Sequence, residues 1–184
     1  MALLIFGVFL WWAAHLFKRL APEMRASLGD RGKGLVAVIL FISIVCMVVG
    51  FRAAAVVPLY APVAGIGHLN NLLMLAAVFL MGVGAGKGML SDKLRHPMLL
   101  GTLIFALAHL LVNGDLASLI LFGSMALWAV MTMRLISRAE GAWQRPAPGS
   151  LRGDLPNVAI TLVIFVVAAG IHFWTGHSPF LGTY

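Results

Sequence analysis

The amino-acid sequence predicts an all-α protein, a polytopic membrane helical bundle of about six transmembrane helices with both termini on the non-cytoplasmic side. Three observations predict this. Hydrophobic residues make up 61% of the 184 residues and charged residues only 10%, whereas a soluble domain carries about 25% charged residues. The apolar residues form six runs separated by turn signals, and the basic residues fall in alternate connections. We therefore expect a lipid bilayer around a single transmembrane domain that covers residues 1–184.

The apolar runs set the predicted helices in order. Spanning a bilayer takes about 20 residues, with 17 to 25 usual, so the first and fourth runs are short and we expect their ends to reach the interface or the bilayer to thin locally. The first run has no preceding positive charge and is followed by Lys18 and Arg19, which favours a retained helix over a cleaved secretory signal. The six runs are Ala2–Phe17, Leu35–Phe51, His68–Gly86, Pro97–Val112, Leu116–Ile136 and Pro156–Phe173.

Turn residues separate these runs. Proline and glycine between Pro58 and Gly67 break the chain before the third helix, Asn113–Asp115 indicates a tight turn, and the segment Arg145–Asp154 is typical of an exposed loop. Four alternate glycines end the third run with GxxxG spacing, which favours close helix packing. A phosphate-binding loop is excluded there, because Gly88 stands where that motif needs Ser or Thr. The four glycines are Gly82, Gly84, Gly86 and Gly88.

The basic residues assign a side of the membrane to each connection. Twelve of the 13 lie in the first, third and fifth connections or at the helix ends beside them, and only Arg52 falls on the other side. The positive-inside rule then places those three connections in the cytoplasm and both termini outside. This distribution also explains the net charge of +7. No basic–aromatic stripe of the kind that stacks bases is present, so we expect no nucleic-acid partner.

The acidic residues and the cysteine exclude several kinds of site. All six carboxylates fall in loops or at helix ends, which argues against a proton- or sodium-coupled transporter and against a carboxylate-bridged metal site in the bundle. The single cysteine, Cys46, lies inside an apolar run, where it is best explained as a small apolar side chain. It can form no internal disulfide, and the sequence has no cysteine cluster for zinc or iron–sulfur.

Histidine is the polar residue that the apolar runs retain. His15 and His96 fall at the predicted cytoplasmic face and can share a depth. Two imidazoles facing one cavity, without carboxylates or thiolates nearby, suit a haem iron better than zinc. Interfacial placement or interhelical hydrogen bonding is the alternative for each histidine. The remaining histidines fall on the outer side, namely His68, His109, His172 and His177.

Arg95-His96-Pro97 is the sharpest local motif. Proline fits the first turn of a helix, so Arg95 and His96 stand at a helix N-terminus, where backbone N–H groups favour an anion. The alternative is a helix start with interfacial anchors.

These residues, taken in order along the chain, resemble the NnrU family of bacterial membrane proteins. The resemblance covers nearly the whole chain, and its most specific part is the stretch from Arg95 to Asp115. The segments that carry it are Ala14-His15-Leu16, Gly65–Leu69, Arg95–Met98 with Gly101, Ala108-His109-Leu110, Asn113–Asp115, Leu121–Gly123 with Trp128, and Gly170-Ile171-His172.

The resemblance implies a multi-pass protein of the bacterial inner (cytoplasmic) membrane, linked in denitrifying bacteria to nitrite and nitric-oxide metabolism. The family includes 15-cis-zeta-carotene isomerase, a haem b enzyme in which the helix-one histidine and the histidine of Arg-His-Pro resemble the ligand pair. Carried over, this implies His15 and His96 as haem-iron ligands, with Arg95 at the cofactor. Isomerase-type and redox-sensing chemistry are both suggested. His109, His172 and His68 are secondary candidates for a metal.

Two other hypotheses remain open at this stage. Arg95-His96-Pro97 with Gly101 also resembles the cofactor motif of isoprenylcysteine-type membrane methyltransferases, which implies S-adenosylmethionine near Arg95 and His96. Those enzymes carry paired glutamates after the next helix, where this chain has only Glu140, and their C-terminal pattern is missing. The third hypothesis is a non-catalytic accessory protein of a respiratory complex, which would bind membrane protein partners through the glycine-rich end of the third helix.

Overall fold

The computed structural model describes residues 1–177 and 179, and it confirms the all-α class. These residues form seven helices and, apart from two isolated backbone bridges, no β-structure. The helices are α1 (Ala2–Leu20), α2 (Pro22–Ser27), α3 (Arg31–Arg52), α4 (Ile66–Val83), α5 (Pro97–Val112), α6 (Leu116–Glu140, with a π-helical segment at Leu119–Gly123) and α7 (Leu151–Trp174).

Five of these helices, α1, α3, α4, α6 and α7, are long and apolar enough to cross a membrane. Helix α5 is apolar but has only 16 residues, as its predicted segment does. The chain is therefore a multi-pass membrane protein. The count of six spans and the side of each terminus stay predictions.

The chain divides into two compact units. The first comprises Met1–Leu59 and Asp115–Ser124, and the second comprises Tyr60–Gly114 and the chain from Met125 onward.

In the first unit, α1 and α3 cross at close range. A Cβ on Gly7 would stand 2.7 Å from the backbone nitrogen of Met47, and one on Gly50 would collide with the backbone of Leu4. The Ser43 hydroxyl, fully buried, donates a 2.8 Å hydrogen bond to the Gly7 carbonyl oxygen across this crossing. Small residues thus let two membrane helices approach until their backbones touch.

The start of α6 completes the first unit. The Asp115 carboxylate caps the helix by accepting from the Ser118 N–H at 3.0 Å and the Ser118 hydroxyl at 2.6 Å. The Leu116 N–H donates to the Val57 carbonyl oxygen at 2.9 Å. Ala117 then packs on the core residues Leu4 and Met47.

In the second unit, α4 packs against both α5 and α7. Gly101 of α5 lies so close to α4 that a Cβ there would stand 2.6 Å from the Ala77 carbonyl oxygen. On α7, the Asn157 side-chain amide donates to the Phe79 carbonyl oxygen at 2.9 Å. These two contacts set the register of the three helices.

The third predicted helix ends earlier in the structure than the sequence predicts. Helix α4 ends at Val83, so Gly84, Gly86 and Gly88 lie in the connection to α5 rather than on a helix face. Close approach does occur, because a Cβ on Gly88 would collide with the Asp154 carboxylate. That carboxylate accepts from the Met89 N–H at 2.9 Å. Asp154 already belongs to α7, which begins earlier than the predicted sixth helix and shortens the exposed loop before it.

Candidate cofactor site around Arg95 and His96

Pro97 starts α5 at its first position, as the sequence predicts. Proline has no N–H to lose there, and its fixed φ already suits the helix. His96 is the N-cap residue with φ −130°, and its side chain makes no capping bond. The side chains of Arg95 and His96 instead contact the C-terminal end of α6.

The His96 ring is held by α6 through Ser137. Its Nε2 lies 2.9 Å from the Ser137 hydroxyl oxygen. Burial, followed by the charge of Arg95, lowers the pKa of His96 below its ordinary value of 6.5, and Glu140 opposes this shift. The neutral imidazole is therefore the favoured form, and it keeps a nitrogen lone pair that a metal or a hydroxyl proton can use.

Arg95 binds the residues that end α6. Its Nη1 donates to the Gly141 carbonyl oxygen at 2.7 Å, and its Nη2 lies 3.7 Å from the Glu140 carboxylate. Gly141 has φ +67° and donates its N–H to the Ser137 carbonyl oxygen. This is the left-handed position that commonly ends a helix and that glycine adopts most easily. The guanidinium thus lies at the negative end of the α6 dipole.

The Arg95 guanidinium retains capacity for an anion. Its side chain is 19% exposed, and its contact with Glu140 is long for an ion pair. Its Nε is buried and donates to no group in the part of the chain that the structure describes. A carboxylate or phosphate could bind here by replacing Glu140.

His15 lies in the first unit, near the end of α1. Its Nδ1–H donates to the Trp11 carbonyl oxygen at 3.0 Å, and its ring packs 4.2 Å from the Trp11 ring. Because Nδ1 carries the proton, Nε2 is the nitrogen with the lone pair. Metal-ligating histidines usually donate their second N–H to a carbonyl or carboxylate in this way. The predicted pairing of His15 with His96 joins residues of different units and stays a prediction.

The secondary histidines lie elsewhere in the second unit. His109 on α5 and His172 on α7 donate Nδ1–H to the carbonyl oxygens four residues earlier, at 2.9 and 2.8 Å. His68 is exposed in the first turn of α4. Over residues 1–177 and 179, no three His, Cys, Asp or Glu residues converge as a metal site.

A comparison with protein-family models matches residues 3–179 to the NnrU protein family. The chain belongs to the NnrU family. The match spans both compact units, and it confirms the family predicted from the Arg95–Asp115 stretch. No curated protein and no solved structure matches the chain.

The sequence did not predict which three residues contact Arg95 and His96 in this NnrU-family chain. Ser137 and Gly141 follow Arg95 and His96 by more than 40 residues, and Glu140 entered only through the methyltransferase pattern. A signal for Gly141 exists, since a glycine after a long apolar run with a terminal Arg is typical of a helix end. For Trp11 the signal is its spacing, four residues before His15 on one helix face.

Proposed function

We propose that this NnrU-family chain is a haem b-binding protein of the bacterial inner membrane, linked to nitrite and nitric-oxide metabolism. The observation that carries the proposal is the hydrogen bond from His15 Nδ1 to the Trp11 carbonyl oxygen. It orients the ring and leaves Nε2 as the nitrogen that a haem iron takes from a histidine. This orientation supports His15 as a haem ligand.

His96 and Arg95 are the other residues proposed to hold haem, by the resemblance to the haem enzyme of the family. His96 is favoured in its neutral, ligating form, and its contact with the Ser137 hydroxyl is a single bond that a metal–nitrogen bond could replace. Arg95 would bind a haem carboxylate in place of Glu140, to which it lies at 3.7 Å. Haem, when bound, would supply a redox-active iron able to take up nitric oxide. Redox sensing and isomerase-type chemistry both follow from such an iron.

Absorption spectra of the purified chain test the proposal. We expect a Soret band after expression with haem supply, in both oxidised and reduced protein, and a shift of the ferrous band on addition of nitric oxide. His15→Ala and His96→Ala should each weaken or shift the band, because each would remove a nitrogen proposed to hold the iron. His177→Ala, which changes an exposed histidine after α7, is the matched control.

Three results would each contradict a different part of the proposal. Protein without a Soret band in either redox state would remove haem altogether. A band that stays unshifted in both His15→Ala and His96→Ala would leave haem in place and reject this ligand pair. A ferrous spectrum that nitric oxide does not change would reject the nitric-oxide role alone.

A second candidate function is methyl transfer from S-adenosylmethionine. The observation that favours it is the contact of Arg95 with Glu140. The isoprenylcysteine-type methyltransferases, which share the Arg-His-Pro motif, carry paired glutamates after the next helix. Equilibrium dialysis with millimolar S-adenosylmethionine distinguishes the two candidates. Binding that Arg95→Gln and Glu140→Gln both weaken would support it, and absence of binding would exclude it.

A further inference from the structure

The connection between α1 and α3, in the first unit, concentrates positive charge. Residues 18–33 contain five basic residues and only two acidic ones. Because α1 and α3 are both long and apolar enough to cross a membrane, the connection between them lies at a membrane surface. The basic residues are Lys18, Arg19, Arg25, Arg31 and Lys33.

Two of these basic residues are bound within the connection. The Arg25 guanidinium packs over Gly32, where it leaves no room for a Cβ, and its Nη1 donates to the Gly29 carbonyl oxygen at 3.1 Å. Lys33 forms an ion pair of 2.8 Å with Asp30. These contacts join α2 to the first turn of α3 and give the connection a defined shape.

Lys18 and Arg31 are exposed and lie outside these contacts. Within residues 1–177 and 179, neither of them forms an ion pair, and the first turn of α3, which Arg31 opens, contains no acidic residue. Their charges are therefore available to an anion from outside the chain.

The crossing of α1 and α3 brings these two cations to one surface. Gly7 lies against Met47. Lys18 follows Gly7 by 11 residues, about 16 Å along α1, and Arg31 precedes Met47 by 16 residues, about 24 Å along α3. Because the two helices run antiparallel, the two cations lie at depths that differ by about 8 Å. Long, flexible side chains of this kind extend to the headgroup region from such depths.

Apolar side chains accompany these cations. Leu20, the last residue of α1, is 72% exposed, and Met24 of α2 is 61% exposed. A single exposed apolar residue is ordinary on a protein surface. Exposed apolar residues beside basic ones at a membrane surface, however, are the combination with which amphipathic segments bind the headgroup region.

We propose that this connection binds anionic phospholipid, with Lys18 and Arg31 at the phosphates and Leu20 and Met24 among the upper acyl chains. A basic residue near an anionic membrane surface strengthens binding about fivefold, so charge favours an anionic lipid over a zwitterionic one. The apolar pair favours lipid over free phosphate, which would leave it uncovered. None of these residues is proposed to hold haem, so the lipid surface does not rest on that proposal.

Native mass spectrometry of the purified full-length chain in detergent tests the charged part. We expect phosphatidylglycerol to bind more tightly than zwitterionic phosphatidylethanolamine. The double variant Lys18→Gln/Arg31→Gln should lower the phosphatidylglycerol affinity roughly 25-fold, about fivefold for each cation removed. The double variant Lys93→Gln/Arg152→Gln removes two exposed basic residues from other connections. It is the matched control and should leave the affinity unchanged.

Three results of this titration would overturn the proposal. Equal affinity for the two lipids would remove the preference for an anionic headgroup. An equal loss in the control double variant would show a general attraction to positive charge. Displacement of phosphatidylglycerol by inorganic phosphate at the same concentration would indicate a site for a free anion.

Fluorescence quenching tests the apolar part. In a Cys46→Ala background, Met24→Cys is labelled with bimane and the chain is reconstituted in phosphatidylglycerol vesicles whose acyl chains are brominated. We expect the bromine atoms to quench the bimane, because residue 24 would lie among the upper acyl chains. Fluorescence equal to that in unbrominated vesicles would place this residue in water and overturn the proposal.

Discussion

At the residue scale, His96 differs from the three histidines inside helices. His15, His109 and His172 each donate Nδ1–H to the carbonyl oxygen four residues earlier. That bond needs a complete preceding helical turn, which an N-cap residue does not have. His96 is therefore held by a side chain of another helix, Ser137, and its protonation state bears directly on the contact between α5 and α6.

The contact of α5 with α6 should weaken in mild acid. The pKa of His96 is lowered in the folded protein by burial and then by Arg95, against an opposing effect of Glu140. The unfolded chain, with its ordinary pKa of about 6.5, therefore binds a proton first as the pH falls. The stabilisation is present above pH 6.5 and is lost as the pH drops below it.

Thermal unfolding in detergent at pH 7.5 and 5.5 measures this effect. We expect the melting temperature to fall more in the native chain than in His96→Gln, which keeps a hydrogen-bonding side chain but does not titrate. Equal losses in the two proteins would show that His96 has no part in the pH dependence.

The sequence predicts one side of this site and not the other. Pro97 marks a helix start by local geometry alone, so Arg95 and His96 could be placed at its N-terminus. Their partners Ser137 and Gly141 lie 41 and 46 residues later along the chain. Which helix end meets which depends on tertiary packing, and a single sequence carries no signal for that pairing.

At the element scale, the closest contact is the crossing of α1 and α3. We expect Gly50→Ala to lower the free energy of unfolding by about 1–3 kcal/mol, the usual cost of forcing extra volume into a packed interface. The Cβ would meet the backbone of Leu4, which cannot rotate away as a side chain can. Thermal unfolding of the purified variants measures the effect.

Gly170→Ala is the matched control for this crossing. It is also a helical glycine, on α7, and a Cβ there meets nothing within 4 Å. Alanine is about 1 kcal/mol better than glycine inside a helix, so this variant should be neutral or slightly stabilised. A Gly50→Ala protein as stable as Gly170→Ala would show that the two helices do not cross as closely as described.

The glycine run after Met81 shows how a correct pattern can be assigned to the wrong element. Its spacing predicts close approach, and Gly82 and Gly88 do meet α7, at Asn157 and Asp154. The helix ends at Val83, however. Alternate glycines carry a high entropic cost in a helix, and they serve better in a connection that packs backbone against backbone.

At the scale of the whole molecule, composition predicts the fold class well. A chain this apolar must satisfy its backbone internally in lipid, and helices do so within each segment. Composition alone does not determine whether a helix as short as α5 crosses the membrane. Helix α5 has 16 residues, about 24 Å at 1.5 Å per residue, against about 30 Å for the hydrocarbon core.

Contacts inside the second unit predict that α5 does cross the membrane. Arg95, just before α5, bonds to Gly141, just after α6, and Gly88 pairs with Ser150. The connections before α5 and after α6 therefore lie on one side. Since α6 is long enough to span, the chain returns to that side only if α5 spans too. The basic residues of both connections agree with a common cytoplasmic side.

Cysteine labelling measures this directly. In a Cys46→Ala background, single cysteines are placed at Ala85 and Ala142, both exposed, and treated with a membrane-impermeant maleimide in intact and permeabilised cells. If α5 spans, both react from the same, cytoplasmic side. If α5 lies within one face, α6 alone separates them and they react from opposite sides, which would reduce the protein to five spans and place its two termini on opposite faces.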